Sequence, residues 1–225
     1  MSIDSQSFDE QRETRSRERT RERLYEAALS VFAEHGVNGA SIEMITEAAG
    51  FTRGAFYSNF ESKEELFFEL AEREGQKTLK TLGDTVDSLS KRFTETDPDA
   101  LTKEVISELV GLVLSGQYTD PRWYLVQSEF KLFALRDRDA AKRLLESQRK
   151  FTAQITNFVR DVLDALGLEF TMDADAACQV IINTFLAAFE EATLLDRKNV
   201  VKAAQKIAMR TIPALVSAIT RPTSR

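Results

Sequence analysis

Apolar residues recur at spacings of three and four along most of this 225-residue chain, which is the period of an amphipathic α-helix. The first such run consists of Leu24, Ala27, Ala28, Val31 and Phe32. Glycine and proline, which favour turns, number only 9 and 4. No segment shows the polar and apolar alternation of a half-buried strand. The sequence therefore predicts an all-α fold.

Capping residues divide this pattern into about nine helices. Ser41 and Thr52 are candidate N-caps of two short helices, and Ser62 with Glu65 forms a capping box for a long fourth helix. The other predicted helices are 17–35 before them and 98–116, 120–136, 138–166, 173–196 and 199–220 after them, while the two short ones are 42–48 and 53–59. Gly75 and Gly83 predict a kink or break in the fourth helix, and Pro213 predicts a kink in the last.

Charge and periodicity suggest three parts. Residues 1–18 are polar without an apolar period and are predicted to form a flexible arm. Residues 19–65 hold the short helices, and residues 66–225 form a larger helical domain. Helix 173–196 is apolar around most of its circumference, so it is buried from several sides. It is either the central helix of a monomeric core or, with helix 199–220, the interface of a homodimer.

Several classes of site are excluded by counting. The single cysteine, Cys178, cannot form an intrachain disulfide or a CxxC metal site, and one histidine, His35, cannot complete a two-histidine site. No phosphate-binding glycine motif occurs. We therefore predict neither a metal nor a cofactor, and no catalytic residue is indicated. The most apolar windows are short and no signal-peptide pattern opens the chain, so we expect a cytoplasmic protein that does not enter the membrane.

Residues 41–65 are the informative stretch. Two short helices joined by a turn with a glycine have the geometry of a helix-turn-helix. Gly54 and Ala55 would let the second helix approach the DNA major groove, where Arg53 can reach base edges. Neutral donors for phosphates are available at Thr52, Tyr57 and Ser58. Lys63 in the first turn of the fourth helix opposes the helix dipole, which suggests a nearby phosphate.

From Leu24 to Leu66 the chain resembles the DNA-binding domain of the TetR (tetracycline-repressor) family of bacterial regulators. The motif SIEMITEAAGFTRGAFYSNFESKEELF carries the resemblance. Two positions depart from it: Thr46 stands where alanine is common, and Asn59 stands where histidine is common. The resemblance implies a homodimer that binds double-stranded DNA at a pseudo-palindromic operator and usually represses. The implied DNA-binding residues are Ser41, Thr52, Arg53, Gly54, Ala55, Tyr57, Ser58, Asn59 and Lys63.

The same resemblance makes the C-terminal helices a domain that senses a small-molecule effector. Aromatic residues are frequent there, and most of them belong to the core. Trp123, Gln127 and Phe130 share one predicted helix face, and Asn183 shares another with Gln179. Those two faces and Phe158 would line a site for a lipophilic or aromatic ligand if they meet. The alternative is a helical small-molecule-binding module that does not recognise a specific DNA sequence.

The charge distribution constrains how such a protein would bind DNA. The chain has a net charge of -6, and residues 1–75 hold 9 basic and 16 acidic side chains. The arginine-rich segment 12–23 would either place arginines in a minor groove or form a solvated start to the first helix, with Glu13 and Arg17 paired. Because so few cations are available, we expect weak non-specific affinity for DNA.

Overall fold

The computed structural model describes residues 3–93, 120–195 and 198–223. Within these ranges the chain is helical apart from one pair of short strands. In chain order the elements are α1 (Ile3–Gly39), α2 (Ile42–Ala49), α3 (Arg53–Tyr57), α4 (Lys63–Phe93), α5 (Pro121–Ala134), α6 (Arg138–Ala165), β1 (Leu168–Phe170), α7 (Ala174–Leu195), α8 (Val200–Ala208), α9 (Ile212–Ile219) and β2 (Thr220–Pro222). The predicted all-α class is confirmed, and the predicted helix 98–116 lies outside the described residues.

The chain divides into two compact units. One unit consists of the described parts of Met1–Arg73 and Arg122–Leu144, and the other of the described parts of Glu74–Pro121 and Leu145–Arg225. This division differs from the boundaries predicted from sequence, because α5 and the start of α6 group with the first three helices.

The predicted N-caps of the first unit form as the sequence indicates. The Met44 amide donates to Ser41 Oγ at 3.2 Å, the Ala55 amide to Thr52 Oγ1 at 3.3 Å and the Glu65 amide to Ser62 Oγ at 3.1 Å. Each cap satisfies an amide that has no partner inside its own helix. Gly50 ends α2 in the left-handed conformation, with φ of 68°. The turn between α2 and α3 is therefore set by a capping hydroxyl and a glycine.

Arg21 joins α1 to α3 and α4. Its guanidinium pairs with Glu69, donates to the Asn59 carbonyl at 3.0 Å and lies over the Phe60 ring at 4.6 Å. The Tyr25 hydroxyl donates to the same Glu69 carboxylate at 2.6 Å, and burial raises the pKa of this phenol. A second pair, Arg73 with Glu22, also joins α4 to α1. Arg21, Tyr25 and Glu69 are partly buried, so their contacts are less screened than pairs at the open surface.

An aromatic cluster packs α4 against α5 in the same unit. The rings of Phe67 and Phe130 are parallel with centroids 3.6 Å apart, and the Trp123 ring stacks on Phe67 with centroids 5.8 Å apart. Phe68 meets Phe130 edge to face at 5.1 Å. All of Phe67, Trp123 and Phe130 are buried. Burial of these rings between α4 and α5 explains why α5 groups with the N-terminal unit.

The second unit is built on α7. Its buried face presents Ala177, Cys178, Phe185, Ala188 and Phe189, and α8 packs closely against it. Small residues at Ala204 and Ala208 let α8 approach. The Asp173 carboxylate caps α7 by accepting from the Ala176 amide at 2.9 Å.

Three expectations about the backbone are wrong. The arm predicted over 1–18 is helical from Ile3, because its glutamate, glutamine and arginine residues are good helix formers. The fourth helix continues through both glycines from Lys63 to Phe93. A Cβ atom at Gly75 would lie 3.1 Å from Phe151 Cδ2, so this glycine serves the close approach of a ring rather than a kink.

The C-terminal end also differs from the prediction. The helix expected over 199–220 is two helices, α8 and α9, separated before Pro213, which lies in the first turn of α9. The strands β1 and β2 pair antiparallel, with Glu169 opposite Arg221, and their three-residue length is too short to produce a visible alternation. An ion pair between these two side chains at 2.7 Å supports the pairing.

Among the helices of the described residues, α7 alone is apolar and long enough to cross a membrane by length and composition. The short apolar windows seen in the sequence did not predict this. Only 28% of its most apolar stretch is buried within the chain. Core helices of soluble proteins satisfy the same criterion, so the finding is weak evidence of a membrane span, but it shows an apolar surface that the single chain leaves uncovered.

Two glycine substitutions should have opposite effects on stability. Gly50→Ala places a β-carbon at a positive φ and should lower the free energy of unfolding by about 1–2 kcal/mol. Gly83→Ala lies inside α4, where nothing approaches within 4 Å of the new methyl group. It should raise the free energy of unfolding by up to ~1 kcal/mol. Urea unfolding followed by circular dichroism would measure both, and equal effects would contradict the assigned turn.

Candidate nucleic-acid interface

The helices α2 and α3 have one buried side and one exposed side. Ile45, Thr46 and Ala49 of α2 and Phe56 of α3 are buried, and Phe60 follows in the same core. The Thr46 hydroxyl, although buried, donates to the Glu43 carbonyl at 3.0 Å, which satisfies it. Burial of this side leaves the opposite side of both helices in solvent.

The exposed side holds most of the predicted DNA-binding residues. Thr52, Arg53, Gly54, Tyr57 and Ser58 are exposed, while Ser41, Ala55, Asn59 and Lys63 are half-buried. Tyr57 is the clearest case, because 51% of this large side chain is exposed next to the buried Phe56. The first turn of α3 therefore presents an arginine and a glycine backbone to solvent. Assignment of these residues to DNA contacts stays a prediction.

Arg53 is held by two neighbours. Its Nη1 atom lies 2.6 Å from Glu43 Oε1 on α2, and its guanidinium lies 5.9 Å from the centre of the Tyr57 ring. The backbone amide of Glu43 donates a hydrogen bond to the carboxylate of the same residue. This bond, and then the charge of Arg53, hold the pKa of the Glu43 carboxyl below its usual range. Glu43 thus stays ionised beside Arg53. The sequence reasoning missed this carboxylate, although both residues flank the same predicted turn.

The hydroxyl groups along this surface differ in whether their proton is available to a phosphate. Ser41 and Thr52 accept hydrogen bonds from their helices, and the Ser41 side chain also hydrogen-bonds the Glu43 carboxylate. The Ser58 hydroxyl donates to the Gly54 carbonyl at 2.8 Å. The predicted phosphate donors therefore differ: the Thr52 hydroxyl proton is able to donate, whereas Ser41 and Ser58 would each have to exchange an internal bond.

Lys63 has partners inside the protein. Its Nζ atom donates to the carbonyls of Val37 at 2.8 Å and Ala40 at 3.1 Å, just after the break of α1 at Gly36. These two bonds account for a lysine in the first turn of α4 without a phosphate. A phosphate contact by Lys63 would have to use the third ammonium proton.

Asn59 also turns toward its own helix. Its Nδ2 donates to the Ala55 carbonyl at 2.8 Å, and among the described residues its buried Oδ1 atom has no partner. The side chain is therefore occupied in the free protein. A phosphate contact here would require it to leave the Ala55 carbonyl.

Three arginines of α1 contact the helix-turn-helix. Arg17 donates to the Ser58 carbonyl at 3.5 Å, Arg21 donates to Asn59, and Arg23 lies over the Phe51 ring at 4.6 Å. Arg15 and Arg19 are exposed. The arginine-rich segment thus serves partly as a support for α3, a role that its charge pattern alone did not reveal.

The five predicted ligand-binding residues fall in both units. Trp123 and Phe130 are buried in the aromatic cluster of the first unit, and Gln127 is half-buried on the same helix. Phe158 and Asn183 belong to the second unit, where the Gln179 side chain donates to Asn183 Oδ1 at 3.0 Å. That bond agrees with the predicted shared face of these two residues. The ligand site itself stays a prediction.

No group of three or more histidine, cysteine, aspartate or glutamate side chains in the described part of the chain is placed to hold a metal ion.

Comparison with known proteins identifies the N-terminal part. Residues 24–70 match the model of the bacterial regulatory proteins of the tetR family. The repressor AcnR of Corynebacterium efficiens is 37% identical over 65 residues, which are 29% of this chain and 35% of that protein. A probable acrEF/envCD operon repressor of Escherichia coli is 46% identical over 52 residues, 23% of this chain and 24% of that protein. The matches therefore span about a third or less of these relatives.

Solved structures extend the likeness to the fold of most of the chain. A putative TetR-family regulator from Mesorhizobium loti superposes with a TM-score of 0.65 over 90% of this chain and 97% of that chain, at 19% identity. SmeT, a repressor of a multidrug efflux pump in Stenotrophomonas maltophilia, gives a TM-score of 0.55 over 89% and 90% of the two chains, at 22% identity. Residues 24–70 therefore match the tetR family of bacterial regulatory proteins, and the helical fold of most of the chain is like that of these solved structures.

Proposed function

We propose that this protein is a cytoplasmic transcriptional repressor that binds a pseudo-palindromic operator as a homodimer and is released by a lipophilic or aromatic small molecule. The observation that carries the proposal is the exposed first turn of α3, where Arg53 and Gly54 face solvent on the side opposite the buried Phe56. A helix with this arrangement can enter a major groove, and an arginine there can bond a guanine edge with two donors.

The predicted homodimer is supported by the surface of α7. Its exposed side carries a stripe of Ala176, Val180, Asn183 and Ala187 at spacings of four, three and four, and the exposed Leu194 follows seven residues later. Val180 is 42% exposed and Leu194 is 81% exposed. A second copy placing the same stripe against this one would cover apolar surface symmetrically. Helices α8 and α9, which were predicted to share the interface, pack beside α7.

The effector proposal is supported by the aromatic character of α5 and by the continuity of α4. Trp123, Gln127 and Phe130 lie on α5, whose rings stack with those of α4. Helix α4 begins at Lys63 beside the helix-turn-helix and continues into the second unit, which contains Phe158 and Asn183. A ligand that moves α4 would change the placement of the two recognition helices, whose spacing must match half-sites about 35 Å apart.

The proposed DNA recognition predicts a loss of selectivity in Arg53→Ala. Wild-type protein incubated with fragments of the source genome should retain a small set of related sequences. The variant should bind the recovered operator about 5- to 150-fold more weakly, because it lacks a two-donor contact to one base. Arg138→Ala, at an exposed site on α6, removes the same charge and should leave operator affinity unchanged. Unchanged binding by Arg53→Ala would reject the recognition residue, and no enrichment by the wild type would favour the small-molecule-binding module.

The proposed interface predicts that Val180→Glu gives monomers. The substitution puts a charge into a self-contacting apolar stripe, where two copies would face each other without solvation. Analytical ultracentrifugation should show the mass falling from that of a dimer to that of a monomer. Leu132→Glu is the matched control, because Leu132 is 50% exposed on α5 and lies outside the stripe. A Val180→Glu dimer, or a monomeric wild type, would contradict the assignment.

The internal use of arginines predicts a shallow dependence of operator affinity on salt. Arg21 and Arg23 contact protein groups, and Lys63 donates to two carbonyls, so few cations remain for phosphates. We expect the slope of log affinity against log salt concentration to be shallower than about −5 for the dimer. A slope near −10 in a fluorescence titration would show that Arg15, Arg17 and Arg19 contact the backbone. Replacing Arg15 and Arg19 by alanine would then flatten it.

A further inference from the structure

In the described part of the chain, Glu43 is the one acidic side chain that forms an ion pair with a predicted base-reading residue, Arg53. It lies in the first turn of α2, and Arg53 is the first residue of α3. The pair joins Glu43 Oε1 to Arg53 Nη1 at 2.6 Å across the turn that separates the two helices. Both side chains are more than half exposed, at 53% and 60%. The contact is therefore part of the surface that α2 and α3 present.

Stability alone gives a weak reason for this pair. Exposed ion pairs contribute ~0–1 kcal/mol, because water screens the charges and two long side chains lose freedom. A carboxylate on a DNA-binding surface also repels phosphates. Its position beside the first residue of α3 thus costs affinity for any DNA sequence. A gain in selectivity would offset that cost.

The geometry of the guanidinium indicates where such a gain arises. Arginine has five N–H donors in one plane, and a carboxylate at one edge leaves donors at the others. Glu43 fixes one edge of Arg53 while the Tyr57 ring lies 5.9 Å from its Cζ atom. A guanidinium restrained in this way loses less conformational entropy when it forms two hydrogen bonds to guanine. An unrestrained arginine on a five-residue helix would adopt many rotamers.

We propose that Glu43 is a positioning residue, which holds Arg53 for a two-donor contact with one guanine in each half-site and so raises base selectivity while lowering general affinity for DNA. The inference rests on the proposed function, since it requires that α3 reads DNA. It names a residue of α2 as a determinant of the sequence that α3 prefers. The charges of Glu43 and Arg53 sum to zero, so the gain in base selectivity comes from the orientation of the Arg53 guanidinium and not from attraction to phosphate.

Glu47 supplies a matched control. It lies one turn after Glu43 on the same helix, is exposed, and carries the same charge. Within the described ranges it forms no ion pair with Arg53, whose partner is Glu43. Glutamine at either position removes one negative charge with little change of volume. A difference between Glu43→Gln and Glu47→Gln therefore reports the contact with Arg53 and not the loss of charge.

The test is selection from a pool of randomised DNA duplexes with full-length wild type, Glu43→Gln, Glu47→Gln and Arg53→Ala, followed by sequencing. Wild type and Glu47→Gln should both prefer guanine at one position in each half-site. Glu43→Gln should lose about 2- to 5-fold of that preference, the size of an exposed ion pair. Arg53→Ala should lose it entirely, and adding Glu43→Gln to Arg53→Ala should cause no further change at that position.

General affinity provides the second readout. On a scrambled duplex of the same composition, both glutamine variants should bind somewhat more tightly than wild type, because each removes one negative charge. If Glu43→Gln matches Glu47→Gln at every base position, the inference is wrong while the proposed function stands. If it instead raises guanine preference, Glu43 competes with DNA and the inference is also wrong. If wild type selects no sequence, the proposed function fails and the inference fails with it.

Discussion

The packing of the helices in the N-terminal unit depends on the partly buried guanidinium of Arg21. Arg21 pairs with Glu69 of α4, donates to the backbone at the end of the helix-turn-helix and covers the Phe60 ring. The backbone of Asn59, two residues after the end of α3, is thus tied to α1 and α4 by one side chain. Since α3 has only five residues, it cannot hold its own orientation by helix length. Its placement depends on these contacts and on the buried Phe56.

This arrangement explains why acidic residues are concentrated beside the proposed DNA-binding surface. Glu69 and Glu22 neutralise Arg21 and Arg73 between α1 and α4, and Glu65 accepts from the Glu61 amide at the start of α4. Glu43 neutralises Arg53 at the surface itself. Three of these carboxylates, Glu69, Glu22 and Glu43, thus form ion pairs with nearby arginines. These arginines therefore hold α1, α2, α3 and α4 together through their ion pairs.

Local signals in the sequence predicted local structure well. The caps at Ser41, Thr52 and Ser62 form, and so does the cap at Asp173, because each depends on residues three positions apart. The glycine at position 50 has the left-handed conformation of a helix C-cap. These features place the turn between α2 and α3 and hence the exposed first turn of α3, without any knowledge of the rest of the chain.

Contacts between distant segments could not be predicted in the same way. The position of Lys63 suggests a nearby phosphate, but its Nζ atom donates to the carbonyls of Val37 and Ala40, which lie 26 and 23 positions away in the chain. Gly75 predicts a kink in the fourth helix, but this glycine accommodates the ring of Phe151. The three-residue strands are paired across 52 positions, from Glu169 to Arg221. In each case the residue type indicated a special environment, and only the fold shows which groups supply it.

The pairing of arginines within the first unit has a consequence for how such a regulator would find its site. Electrostatic steering can raise association rates from about 10⁵–10⁶ to about 10⁸–10⁹ M⁻¹ s⁻¹, and it requires a surface of uncompensated charge. Here Arg21 of α1, Arg53 of α3 and Arg73 of α4 each face a carboxylate at close range. A dimer built from this chain would meet its operator mainly by unsteered collision and spend little time on other DNA. The number of protein copies in the cell would then set how quickly a vacated operator is refilled.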